Sequence, residues 1–132
     1  MEMDNEELIK YWLDSSDDNH RSMRNMFDAG EYVWALFVGH LCLEKLLKAY
    51  YIKMVDRIAP RTHDLYKIAV NSGLEMTEKQ KDDLQYVTLF NIESRYEEYK
   101  RDFYQKCTKE FTEHCIDMIE GLRTWLLKKI SG

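Results

Sequence analysis

Three groups of side chains in this 132-residue sequence have the types and the spacing to do chemistry. The first is Glu44, with His40 four residues before it and Lys48 four residues after it. On a helix these three lie on one surface, a turn apart. They stand among Val33, Leu36, Phe37, Leu47 and Tyr51, so the carboxylate must find a partner or take up a proton. Two accounts fit: a His–Glu–Lys network at a seam between helices or subunits, or one wall of a polar pocket. The second group is His63-Asp64, with Arg61 just before it. Capping explains the pair structurally, with Thr62 as the cap and Asp64 favourable at a helix N-terminus. The functional account has His63 and Arg61 facing the polar part of the segment that carries Glu44. The third is Arg95-Tyr96, with Tyr99 one turn on. Arginine beside tyrosine is ordinary surface, or it grips a phosphate while a ring stacks on a base.

Metal and thiol chemistry find little support. Cys42, Cys107 and Cys115 are an odd set without paired spacing, which argues against a disulfide framework and for a reducing, cytoplasmic compartment. His114 and Cys115 are neighbours in sequence and would face different ways on a helix, so neither a metal site nor a cofactor is expected. The net charge of −5 leaves no broad basic footprint for duplex DNA, although a local cluster could still hold a phosphate. The acidic start MEMDNEEL is unlike a signal peptide, and no apolar run long enough to span a membrane is present.

The elements that must position these groups are helices. One proline and five glycines argue against an all-β or loop-rich fold. The stretch EYVWALFVGHLCLEKLLKAYYIKM from Glu31 is too long for a strand. It has a second apolar strip through Trp34, Val38, Cys42, Leu46 and Ala49, so it must be covered on more than one side, by its own chain and by a second copy. A first helix, capped by Asp4, carries Leu8, Tyr11, Trp12, Ser15, Asn19, Met23, Met26 and Phe27 inward and ends at Gly30. Pro60 breaks the pattern, and a short helix capped by Thr62 runs from His63 to about Val70. Thr77 with Gln80 opens a third long helix, 91–109 reads as part helix and part irregular, and a last helix runs from near Thr108 to about Lys129. The expected architecture is all-α: one domain over residues 1–132, an up-and-down four-helix bundle with an additional short helix.

The run HLCLEKLLKAYYI, then THDL at Thr62–Leu65, then SRY at Ser94–Tyr96, resembles the HEPN domain, the small helical domain named for nucleotide binding in higher eukaryotes and prokaryotes. The resemblance covers nearly the whole chain. It implies a bundle related to the C-terminal domain of kanamycin nucleotidyltransferase, a homodimer, and a nucleotidyltransferase partner of the toxin–antitoxin or defence type. Many members are metal-independent RNases in which an Arg is followed by a His with four to six residues between them, and two subunits join their copies in one cleft. Arg95 falls where that Arg is expected, yet Lys100, Arg101 and Asp102 stand in the places for His, and Glu97 stands where a Pro is frequent. Arg57 with His63 satisfies the spacing in a different loop, and Lys109 with His114 mimics it with the wrong cation.

The reading that results is a non-catalytic HEPN protein that binds a nucleotide or an RNA phosphate at a dimer cleft. In it Arg95 and Lys48 hold phosphate, Tyr96 or Tyr99 stacks on a base, Glu44 with His40 orients them, and His63 lines the site. Two alternatives stand beside it: a divergent RNase that uses Arg95 with an unusual acid–base group, and a ligand-free helical dimerisation module.

Overall fold

The computed structural model describes residues 3–132. Among them are six α-helices and no strand: α1 (Asn5–Asp28), α2 (Tyr32–Met54), α3 (Leu65–Asn71), α4 (Glu78–Thr88), α5 (Glu97–Lys106) and α6 (Lys109–Ser131). Most starts have a local cause. Asp4, Asp64, Thr77 and Thr108 accept a hydrogen bond from the backbone N–H three residues on, and Thr77 forms a reciprocal box with Gln80. Gly30 and Gly73 take positive φ of 80° and 72°, and each turns the chain just after a helix.

The short helix therefore begins two residues later than the sequence suggests. Thr62 accepts from the Asp64 N–H, and Asp64 itself is the cap. The shift leaves His63 in the loop, where its side chain is free of helical constraint. The ambiguous stretch resolves into a 3₁₀ turn (Ile92–Ser94), an extended link at Arg95 and Tyr96, and α5.

The core is built around α2, which packs against α1, α6 and α3, while α4 bridges α3 and α6. Fifteen of the 23 residues of α2 are buried within the single chain. The chain's own helices thus cover most of both apolar strips. Its fully buried leucines, Leu36, Leu43, Leu46 and Leu47, each stabilise the fold by about 2–3 kcal/mol. Gly39 lies where α1 and α6 both meet α2: a Cβ there would come within 2.7 Å of Ile119 Cδ1 and 2.8 Å of Met23 Sδ. Tyr11, assigned inward by periodicity, is more than half exposed.

The polar middle turns of α1 make sense in this setting. Ser16 is fully buried and its hydroxyl donates to the Cys42 carbonyl at 2.9 Å, while Ser15 accepts from Lys45 Nζ at 2.7 Å. His20 with Glu120 and Arg123 with Asp17 link α1 to α6 at 2.5 and 3.2 Å.

Candidate functional site

α2 leaves one narrow stripe open. At roughly 100° per residue Trp34, Leu41, Lys45 and Lys48 share a direction, and all four are exposed or half-buried. Beside that stripe sits Glu44, 5% exposed. Lys48 Nζ donates to its Oε2 at 2.9 Å and His63 Nδ1–H donates to its Oε1 at 2.7 Å. Burial alone would push this carboxyl up; the hydrogen bonds from His63 and Lys48 outweigh burial and hold it below its ordinary value. Glu44 is therefore an ionised carboxylate with both oxygens engaged.

His40 is fully buried and grips the same loop from another direction. Its Nε2–H donates to the backbone carbonyl of His63 at 2.9 Å. Because a carbonyl can only accept, Nε2 carries the proton. Burial lowers the His40 pKa, against the raising effects of that hydrogen bond and of Glu44, so the ring is neutral near pH 7. The two anomalies read from sequence, Glu44 on an apolar stripe and His63 before a short helix, are one feature. α2 holds the backbone of His63 with His40 and its side chain with Glu44.

The imidazole so fixed is 61% exposed and lines an open cavity of about 510 Å³ with Phe37, Leu41, Asn91, Glu93 and Ser94. Its Nδ1 is engaged, so Nε2 is the ring nitrogen available to a ligand. The far wall comes from the 3₁₀ turn, where Ser94 Oγ donates to the Asn91 carbonyl at 3.0 Å. The loop is also fastened to α4: the Leu65 N–H donates to Thr88 Oγ1 at 3.0 Å. Arg61, exposed on the same loop, has no hydrogen-bond partner among the described residues.

The other residues singled out by sequence are distributed differently. Lys48 is 14% exposed, bonded to Glu44 and lying 5.5 Å from the Trp12 ring centroid, so its charge is already balanced. Arg95 reaches the Thr88 carbonyl at 3.4 Å and lies 5.5 Å from the Tyr99 ring centroid; its positive charge helps keep His40 neutral. Tyr99 donates to the Leu89 carbonyl at 3.2 Å and packs parallel to Phe103. Tyr96, 89% exposed, stands outside the cavity. Thus His40, Glu44, Lys48 and His63 form one cluster, Arg95 and Tyr99 an adjoining one, and Tyr96 belongs to neither. Asn91 and Glu93 line the cavity without having been singled out by sequence, and Ser94 was named there only as the first residue of SRY; the signal available was a run of polar residues around Ile92 in a segment without periodicity.

The model of the HEPN domain matches residues 9–130. The chain belongs to the HEPN domain family. Every residue of both clusters lies inside the matched span. Among solved structures this HEPN chain is similar to the protein TT1696 from Thermus thermophilus, with a TM-score of 0.76 and 17% identity over 92% of this chain and 97% of that one. At that identity the likeness is one of fold. No curated protein matches the sequence. Among the described residues no helix is long and apolar enough to cross a membrane.

Proposed function

We propose that this HEPN protein binds a nucleotide or an RNA phosphate in the cleft between α2, the His63 loop and the 3₁₀ turn. The observation that carries the reading is the double hold on His63, which presents one imidazole edge, from a buried support, to a roomy cavity lined by both polar and apolar side chains. Imidazole, the Asn91 amide and the Ser94 hydroxyl supply hydrogen bonds, and Glu93 accepts from ribose hydroxyls. The cation for phosphate is Arg61, flanking His63, joined by Arg95 once a ligand draws it from the Thr88 carbonyl. Lys48 acts through Glu44 and holds no phosphate itself.

Two copies meet over the open stripe of α2, where Trp34 is exposed and Leu41 half-buried, which brings two such clefts together. A nucleotidyltransferase partner of toxin–antitoxin or defence type rests on the family resemblance alone. The test is a titration of nucleoside monophosphates and short RNA against the melting temperature, since a ligand of the native state must raise it. A rise of several degrees, lost in His63→Ala and in Arg61→Ala, is expected; no rise with any nucleotide or RNA leaves the ligand-free dimerisation module.

A second reading has one observation in its favour. A histidine oriented by a buried carboxylate, with its other nitrogen open, is the arrangement of a general base. Cleavage of RNA without metal by purified protein, abolished by His63→Ala, would establish it and would make the absence of a His after Arg95 immaterial.

A further inference from the structure

We propose that a second cleft, between α4 and α5, is a subsite for a purine base; the proposal rests on the reading of this chain as a nucleotide-binding protein. The cleft has a volume of about 230 Å³, the size of one ring system. Its floor is Phe90 and Phe103, both buried, with ring centroids 5.5 Å apart. Tyr86 and Tyr99 are its half-buried walls, set against Phe90 and Phe103 respectively. With Phe90 1% and Phe103 6% exposed, the faces that a flat base can reach are those of Tyr86 and Tyr99, and a bicyclic base covers more of them than a single six-membered ring.

The rim gives the cleft its chemistry. Asp102 and Lys106 stand one turn apart on α5, the spacing at which opposite charges on a helix ordinarily pair. They do not pair here. Lys106 Nζ instead lies 5.9 Å from the Tyr86 ring centroid and 5.1 Å from that of Phe111, and Asp102 has no hydrogen-bond or ion-pair partner among the described residues. The mouth of an aromatic cavity therefore carries an acceptor-only carboxylate and a donor-only ammonium. A base that sets an exocyclic amino group beside a ring nitrogen, as adenine, guanine and cytosine do, satisfies both, whereas uracil meets the carboxylate only with an N3–H flanked by two carbonyls. Stacking supplies affinity, greatest for the larger purine, and the rim adds the preference for an amino edge. Tyr99, which also carries Arg95 at 5.5 Å, joins this cleft to the His63 side of the molecule.

Calorimetric titration of the whole chain with adenosine, AMP, GMP, CMP, UMP and ribose 5-phosphate tests the subsite. AMP and GMP are expected to bind at least ~10-fold tighter than UMP, as one charge-assisted base contact and the larger stacking area require, with CMP between them because it has the amino contact without the second ring. Asp102→Ala and Leu89→Trp, both at exposed positions, are expected to reduce AMP to the level of UMP and to leave ribose 5-phosphate unchanged. Equal binding of all four nucleotides, or a purine preference that survives both variants, overturns the subsite. Ribose 5-phosphate binding without base preference upholds the phosphate cleft and removes the purine subsite; adenosine binding with no response to ribose 5-phosphate does the reverse.

Discussion

His63 lies in a loop, yet its position is fixed from both ends, by the His40 ring on its carbonyl and by the Glu44 carboxylate on its Nδ1. Neither hold is separable from stability. Replacing Glu44 with Gln keeps the shape but removes the charge that both His63 and Lys48 bond, and hydrogen bonds to a charged group contribute about 1.5–3 kcal/mol each. Because Lys48 can extend toward water, Glu44→Gln is expected to cost about 2–3 kcal/mol in urea denaturation; wild-type stability would show that the network is decorative. The sign of the pH dependence follows from the same two groups. His40 is held below its ordinary 6.5, so its contribution is complete above that value and is lost as pH falls toward the folded pKa. Glu44 is held below its ordinary 4.5, so its contribution is complete above 4.5 and is lost further down. The urea midpoint is thus expected to decline as pH drops below 6.5, and more steeply below 4.5. His40→Gln, having no ring to protonate, flattens the upper part of that decline.

At the scale of elements, α2 is a rod around which other helices close, and its one glycine is where they come nearest. Gly39→Ala pushes a methyl against the tips of Ile119 and Met23, both buried. Overpacking costs about 1–3 kcal/mol and better helix propensity returns about 1. A net loss of about 1 kcal/mol is expected, read as a few degrees in melting temperature; a rise would mean that the three helices have room to move apart. The helices themselves are legible in the sequence because their causes are local: a cap at Asp4, Thr77 or Thr108 and apolar residues at three- and four-residue steps. Two expectations fail where the cause is not local. Periodicity puts Tyr11 with Trp12, but only the angle at which α1 crosses α2 decides that Trp12 is packed and Tyr11 is not. Thr62 and Asp64 are both competent caps, and the Leu65 N–H bond to Thr88, set by tertiary packing, accompanies the later start. For Asp64→Ala, loss of the cap is expected to cost about 1 kcal/mol and to loosen the His63 loop.

At the scale of the whole molecule, what the sequence hides is mostly which groups already have partners. Glu44 with His40 and Lys48 is visible as a polar cluster, because i and i+4 is a rule of the helix. That His63 completes it stays open, since the partner is 19 residues away. Arg95 and Tyr99 look free to hold a ligand in the sequence, whereas they hold Thr88, Leu89 and each other. The long apolar rod suggests a twin to cover it; the chain covers the rod itself and leaves only a stripe with Trp34 and Leu41 for a second copy. Trp34→Glu, at a position 42% exposed, is therefore expected to turn a dimer into a monomer in sedimentation with little change in the fold. A wild-type monomer at all concentrations would remove the shared cleft.

The most direct test follows the imidazole ring signals of His40 and His63 by NMR while nucleoside monophosphate is added. His63, exposed and lining the cavity, is expected to shift saturably, with the buried His40 ring moving far less and Glu44→Gln abolishing the response. Saturable binding that leaves the His63 ring unmoved would contradict the account.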